Sequence, residues 1–233
     1  MLRILQIIAG PAVKLRPANA PAAMEKGEGK LFLDWKNQNI LYWFRGPRHW
    51  TADVDLGAFR TVMHFRDPRD LACNQYWWAL QHPNTIDSPE VAEEKRAKVE
   101  AEGIDRYALG RNNSANYAAM REASEGPFGP VITWTSYTQL CCAFDYMTDN
   151  LCRMFHRAPS RVAEELRIER PENLAGNADW VKVGGTWKGS DITPGRFRRD
   201  LQPETIAAMN KKLARDLEFC RNRDAAFLAH HYS

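Results

Sequence analysis

The residues with the clearest capacity for chemistry lie in the stretch HFRDPRDLACNQYWW, from His64 to Trp78. The charged run RDPRD directly follows an apolar segment, and the polar Asn74 stands four positions after its last aspartate. An arginine at the end of a strand suits a dianionic phosphate, because a guanidinium donates two parallel hydrogen bonds. A side-chain amide can also donate to a phosphate oxygen. The stretch therefore predicts a phosphate-binding strand-to-helix junction.

Strands and helices must alternate to place this junction. Apolar, β-branched and aromatic runs predict strands over residues 2–9, 39–45, 59–65 and 131–137. Helical patterns cover residues 68–82, 138–156, 160–167 and 203–222 and parts of 89–122, while residues 16–30 and 170–200 are predicted as loops. The alternation indicates an α/β fold, a three-layer sandwich with a central, mostly parallel sheet. Ligands of such sheets bind at the carboxyl ends of strands, where RDPRD falls.

Length and composition predict a single globular domain over residues 1–233. The chain is long enough for one sizeable core, and its 44% apolar and 26% charged residues are ordinary for a globular protein. The 32 basic and 29 acidic residues nearly balance, with a net charge of +3. This balance argues against nucleic acid as a partner. It leaves room for a small anionic ligand held by a few local arginines.

The cysteines and the first residues bear on the compartment. Five cysteines without a CxxC pair predict buried free thiols, a reducing environment and no metal site. The initial apolar run MLRILQIIAG is much shorter than the roughly 20 residues of a membrane span. It also lacks the pattern of a signal peptide. We therefore expect a buried first strand, no membrane span and a cytoplasmic location.

The junction resembles a segment of the sulfotransferase family, whose members use 3′-phosphoadenosine 5′-phosphosulfate as sulfuryl donor. In that family a strand ending in R-x-P-x-D, followed by a helix with a polar residue four positions later, holds the 3′-phosphate of the donor. Arg66, Pro68, Asp70 and Asn74 match this pattern, with Asn74 where the family usually has serine. The resemblance implies that Arg66 and Asn74 bind the 3′-phosphate.

Three further stretches resemble the family in order and spacing. TWTSYTQL, 133–140, resembles the strand ending in Tyr-Glu-Asp-Leu, which would put Tyr137 near the adenine ring. VGGTWKGSDITPGRF, 183–197, resembles the glycine-rich loop that closes over the nucleotide, with Gly185, Trp187 and Lys188 as matches and Lys182 as the basic residue before it. LQPETI, 201–206, resembles the start of the helix that follows. The resemblance spans roughly residues 40–220 and implies a P-loop-NTPase-like sulfotransferase architecture.

The chain departs from the family at the donor loop and at the catalytic base. The family's first strand leads into Pro-Lys/Arg-Ser-Gly-Thr-Thr, whose amides and lysine hold the 5′-phosphosulfate. Here GPAVKLRPAN, 10–19, offers Lys14 but no hydroxyl pair. The family's histidine after the second strand has no exact match, and His49 lies a few residues beyond it. A neutral imidazole can take the acceptor's proton, so His49 is the candidate base.

Three functions compete on these residues. The first is sulfuryl transfer to a hydroxyl or amine of a small-molecule or carbohydrate acceptor; a homodimer is compatible with it. The second is a non-catalytic binding or scaffold protein that has lost donor use. The third, a nucleotide kinase, needs GxxxxGK[ST], and GEGK at 27–30 lacks its first glycine and its hydroxyl. A purely structural interpretation of RDPRD also stands, with Asp67 as helix N-cap, Arg69 solvated and His64 in the core.

Overall fold

The structure is a computed structural model that describes residues 1–11, 13–17, 40–43, 59–81, 88–111, 113–127, 129–174 and 193–233. The described part of the chain is mainly helical and also contains parallel strand pairs. Its strands are β1 (Lys14–Pro17), β2 (Ile40–Trp43), β3 (Thr61–Phe65) and β4 (Ile132–Ser136). Short 3₁₀ helices cover Gly129–Val131, Pro159–Arg161 and Ala226–Tyr232.

Eleven α-helices are found in the described ranges. They are α1 (Leu2–Ala9), α2 (Pro68–Gln81), α3 (Pro89–Gly110), α4 (Ser114–Glu125), α5 (Tyr137–Cys142), α6 (Phe144–Met154), α7 (Ala163–Arg167), α8 (Pro171–Leu174), α9 (Phe197–Asp200), α10 (Pro203–Lys212) and α11 (Ala214–Arg223). The helix predicted over 68–82 is confirmed by α2, and those within 89–122 by α3 and α4. The helices predicted over 138–156 and 203–222 are confirmed, each divided into two, at Ala143 and at Leu213.

The predicted first strand is wrong, because residues 2–9 form α1. Ile4, Leu5 and Ile8 are the buried residues of this helix. They lie at positions i, i+1 and i+4, which is the spacing of one helical face and not the alternation of a strand. α1 packs against α6 and α7. Gly10 ends the helix with φ 106°, a conformation that glycine adopts without strain.

The strands pair in parallel, as predicted. β1 pairs with β2, with Lys14 opposite Ile40, and β3 pairs with β4, with Thr61 opposite Ile132. Within the ranges predicted as strands, 39–45, 59–65 and 131–137, the structure describes strands at Ile40–Trp43, Thr61–Phe65 and Ile132–Ser136. Within the described ranges the two pairs are separate two-stranded sheets. Residues 10–19, which were compared with the family's donor loop, include β1.

Three clusters of buried apolar residues form the core. The first joins α1, α6 and α7, the second joins α2, α3, α10 and α11, and the third joins β3, α4, α11 and the C-terminal 3₁₀ helix. α11 contributes to two of them, with Leu217 in the second and Phe219 in the third. Phe65, just before α2, belongs to the third cluster, and Ala72 in α2 belongs to the second. The N-terminus of α2 therefore lies between these two clusters.

The structure also bears on the predictions about free cysteines and about a membrane span. All five cysteines are free, as predicted, and Cys73, Cys152 and Cys220 are buried, whereas Cys142 is exposed. Among the helices that the structure describes, none has the length and apolar character needed to cross a membrane.

Candidate functional site

Parallel pairing of β3 with β4 brings Arg66 and Tyr137 together. Phe65 lies opposite Ser136 in the register, so the next residue of each strand leaves the sheet at the same edge. The guanidinium carbon of Arg66 lies 3.9 Å from the ring centroid of Tyr137. This is the geometry of a cation–π contact. Two residues that were predicted to bind one nucleotide therefore touch each other at the carboxyl end of the strand pair.

The guanidinium of Arg66 keeps a buried donor without an acceptor among the described residues. Its Nε atom is buried and has no acceptor, and within the described ranges no carboxylate forms an ion pair with it. A buried donor without an acceptor costs free energy. The main chain is firmly held, because the Tyr117 hydroxyl donates to the Arg66 carbonyl. The arrangement is a fixed backbone that presents a guanidinium able to receive an anion.

Asn74 lies on α2 with its amide unengaged. The side chain is half-buried, and in the described part of the chain it has no hydrogen-bond partner. It stands one helical turn after Asp70, so the two residues share a face of α2. Asn74 thus keeps the donor that a phosphate oxygen would require.

Asp67 and Arg69 build the start of α2. The Asp67 carboxylate accepts the Arg69 backbone N–H at 2.8 Å, which is an N-cap, and Pro68 is the first helical residue. The same carboxylate pairs with the Arg69 guanidinium at 3.0 and 2.6 Å. Arg69 is fully buried, donates to Asn210 at 2.7 Å and stacks on the Phe197 ring. The N-cap interpretation of Asp67 is confirmed, whereas the solvated Arg69 is wrong, since Arg69 joins α2 to α9 and α10.

Asp70 is a buried carboxylate satisfied by backbone amides. Its Oδ2 accepts the Gly195 N–H at 2.7 Å, and its Oδ1 accepts the Phe197 N–H at 3.0 Å. Burial raises the pKa of Asp70 and the charge of Asp67 adds to this, while Arg66 and the two amides oppose it. The residues 195–197 are thereby held against the first turn of α2.

Tyr137 begins α5, whose N-cap is Ser136. The Ser136 hydroxyl accepts the Gln139 N–H at 2.8 Å. Burial raises the pKa of the Tyr137 phenol, and nearby Arg66 opposes the rise. One turn later, burial raises the pKa of Cys141 to about 12, partly offset by its hydrogen bond with Tyr137. Both groups stay protonated at neutral pH, so at this edge Tyr137 offers a neutral ring and a hydroxyl.

A buried network around Asp224 was not predicted from the sequence. Asp224 accepts from Ser136 and Gln139, each at 2.7 Å, and also from the Tyr232 hydroxyl. Asp224 lies 85 positions from Gln139 along the chain. Nothing in the local sequence indicates this network, because tertiary packing brings the hydrogen-bond donors to Asp224 together.

Among the predicted site residues other than Arg66, Asn74 and Tyr137, Lys14 is the one that the structure describes. Lys14 is exposed, begins β1 and has no recorded contact with Arg66. Five predicted residues lie outside the described residues, namely His49, Lys182, Gly185, Trp187 and Lys188. Of the predicted site residues, Arg66 and Tyr137 are in contact. Asn74 follows Arg66 in the sequence and lies on α2.

A separate cleft of about 600 Å³ opens between α4 and α11. Its charged lining consists of three arginines and three glutamates: Arg121, Arg215, Arg223, Glu122, Glu125 and Glu218. No predicted site residue lines it. The balanced charges fit two solvated helix faces, with Arg121 already paired to Asp216.

Comparison of the chain with known protein families, with curated proteins and with solved structures finds no match in any of the three. The candidate site therefore rests on its own residues and geometry.

Proposed function

We propose that the chain is a sulfotransferase that uses 3′-phosphoadenosine 5′-phosphosulfate, on a three-layer α/β sandwich of the P-loop-NTPase type. The observation that carries the proposal is Arg66. Its guanidinium lies at the carboxyl end of a parallel strand pair, against Tyr137 and without a carboxylate partner in the described residues. An unpaired arginine at this position suits a phosphate dianion.

In this proposal the 3′-phosphate binds to Arg66 and Asn74, and Tyr137 lies beside the nucleotide. Lys14, Lys182 and Lys188 supply positive charge to phosphate or sulfonate oxygens, and Gly185 and Trp187 border the nucleotide. The acceptor oxygen or nitrogen attacks sulfur, the bond between sulfur and the bridging phosphate oxygen breaks, and adenosine 3′,5′-bisphosphate leaves. His49 takes the acceptor's proton. Such transfers depend mainly on alignment and on cations at the leaving group.

The test is calorimetric titration with 3′-phosphoadenosine 5′-phosphate. Wild type is expected to bind in the micromolar range, and Arg66→Ala is expected to bind at least about tenfold more weakly, which is about 1.4 kcal/mol. Arg167→Ala removes an exposed arginine in an ion pair with Glu164 and serves as the matched control. No heat from wild type at millimolar nucleotide would overturn the proposal.

A second candidate is a non-catalytic relative that binds nucleotide or nothing. The observation in its favour is at the N-terminus, where α1 and β1 occupy the positions that a first strand and donor loop would require. Incubation with the phosphosulfate donor separates the two candidates, because the enzyme releases adenosine 3′,5′-bisphosphate when an acceptor is supplied. Nucleotide binding without release, across hydroxyl, amine and sugar acceptors, would favour the second candidate.

A further inference from the structure

Asp70 stands between the two proposed phosphate ligands in sequence, four residues after Arg66 and four before Asn74. It is 1% exposed. Both of its carboxylate oxygens are used, one by the Gly195 amide at 2.7 Å and one by the Phe197 amide at 3.0 Å. A buried carboxylate next to an anion site is unexpected on charge alone, because it repels the ligand.

Each oxygen of Asp70 accepts one backbone amide, so the carboxylate is hydrogen-bonded without Arg66. Arg66 lies directly before the N-cap Asp67, and Asp70 lies in the first turn of α2. Asp70 and Arg66 interact electrostatically, yet no ion pair links them in the described chain. The two amides satisfy the carboxylate, and the guanidinium remains available.

The backbone segment that Asp70 holds is shaped for this contact. Gly195 has φ +85°, the left-handed region that glycine favours. The Phe197 ring lies 3.8 Å from the guanidinium carbon of buried Arg69, so the segment 195–197 is attached to α2 by two independent contacts. It therefore has a fixed position beside the helix that carries Asn74.

We infer that Asp70 is a positioning residue of the anion site, which holds the segment 195–197 as a wall of that site and thereby keeps Arg66 free for the ligand. The inference rests on the proposed function, since it assumes that Arg66 binds the 3′-phosphate. The sign of the change in nucleotide affinity distinguishes this inference from a purely electrostatic effect of Asp70. Removing a negative charge one turn from an anion site tightens anion binding if only charge matters. It weakens binding if Asp70 acts through the position of residues 195–197 and of Arg66.

Asp70→Asn is the informative substitution. An asparagine keeps one carbonyl oxygen for one of the two amides, but its NH₂ group faces the other amide as a second donor. One of the two hydrogen bonds is lost and the shape is nearly unchanged. Asp200→Asn is the matched control, because Asp200 accepts from Trp77 at 2.8 Å and from Arg196 at 2.5 Å. It lies in the same junction between α2 and α9 but does not bind the amides of Gly195 and Phe197.

The experiment is titration of wild type, Asp70→Asn and Asp200→Asn with 3′-phosphoadenosine 5′-phosphate, below the unfolding temperature of each. We expect binding to weaken by about fivefold or more in Asp70→Asn, the effect of about one hydrogen bond, and to change by less than about twofold in Asp200→Asn. Equal or tighter binding by Asp70→Asn overturns the inference alone. Absence of binding by wild type overturns the proposed function, and the inference with it.

Hydrogen exchange on wild type tests the inference without a variant. Peptides covering residues 66–81 and 193–201 are followed with and without 3′-phosphoadenosine 5′-phosphate. If the segment 195–197 is a wall of the site, the nucleotide slows exchange in both peptides. Slower exchange in residues 66–81 with no change in residues 193–201 overturns the inference. Because this experiment uses wild type, it remains decisive even if Asp70→Asn does not fold.

Discussion

Arg66 and Arg69 lie three positions apart in one charged run and have opposite environments. Arg69 is fully buried, paired with Asp67 and bonded to Asn210. Arg66 is half-buried, rests on the Tyr137 ring and keeps a buried Nε without an acceptor. The difference follows from the N-cap, because Asp67 binds the backbone and the side chain of Arg69 together. Arg69 stabilises the fold, whereas Arg66 forms no ion pair within the described part of the chain.

The ring of Tyr137, more than its hydroxyl, is expected to orient Arg66. Tyr137→Phe keeps the aromatic face, so its affinity for 3′-phosphoadenosine 5′-phosphate should stay within about twofold of wild type. Tyr137→Leu removes a cation–π contact worth about 0.5–1 kcal/mol, and we expect about two- to fivefold weaker binding in calorimetry. If Phe weakens binding as much as Leu does, the hydroxyl and not the ring is the contributing group.

His64 is expected to make the fold sensitive to acid. Its Nδ1 lies 3.1 Å from the Thr135 hydroxyl oxygen, and burial, with nearby positive charge that includes Arg66, lowers its pKa to about 3. Between about pH 6.5 and pH 3 the unfolded chain binds a proton at this residue and the folded chain does not. Stability from this group is therefore present above pH 6.5 and is lost as the pH falls.

The expected size is about 2 kcal/mol of unfolding free energy lost between pH 7.5 and pH 5. Urea unfolding of wild type and His64→Gln at the two pH values measures it. The glutamine amide can still bond to Thr135, and it does not titrate. The free energy of the variant should fall by about 2 kcal/mol less than that of wild type, whereas parallel pH profiles would contradict a neutral His64 in the folded chain.

At the scale of elements, local patterns predict β3 and α2 well. FRTVMHF has the residue types of a strand, and Asp67 with Pro68 gives a helix start that needs no distant contact. The segment LRILQIIA is different, because a short apolar run fits a strand and a helix equally. Contacts of Ile4 and Ile8 with α6 and α7 decide for the helix, and these contacts are not visible in the run itself.

The candidate site also contains residues that the local sequence identifies and partners that it does not. Arg66 and Asn74 are identifiable because they belong to one local junction. The partners that fix the junction lie far along the chain: Asn210 is 141 positions from Arg69, and Asp224 is 85 positions from Gln139. Such pairs are selected by tertiary packing, for which a single sequence carries no spacing rule. The arrangement of Asp70 with the amides of residues 195–197 belongs to this second class.

The start of α2 should depend strongly on Arg69. Arg69→Ala leaves Asp67 buried without its ion-pair partner, and breaking a buried pair costs about 3–5 kcal/mol. Arg167→Ala breaks an exposed pair with Glu164 and should change stability by less than about 1 kcal/mol. Urea unfolding of both variants measures the difference. Similar losses in the two variants would mean that the Asp67–Arg69 pair does not stabilise the fold as its burial indicates.

At the scale of the whole molecule, each core cluster contains one buried cysteine. Cys152 lies in the cluster of α1, α6 and α7, Cys73 in that of α2, α3, α10 and α11, and Cys220 in that of β3, α4 and α11. Burial raises the pKa of all three thiols, so the folded chain protects them from reagents that attack the thiolate. Their reactivity therefore reports the opening of each cluster separately.

Thiol labelling in increasing urea tests whether residues 1–233 form a single domain. The background is Cys141→Ser with Cys142→Ser, which removes the half-buried and the exposed thiol. If the three clusters unfold together, Cys73, Cys152 and Cys220 become reactive at one urea concentration, as in a two-state transition. Leu217 and Phe219 of α11 belong to different clusters, which favours joint opening of the second and third. Val62 and Phe65 of β3 connect the cluster of α1 to the third cluster in the same way. Reaction of Cys152 at a clearly lower urea concentration would contradict the single domain and identify the cluster of α1 as a separate unit.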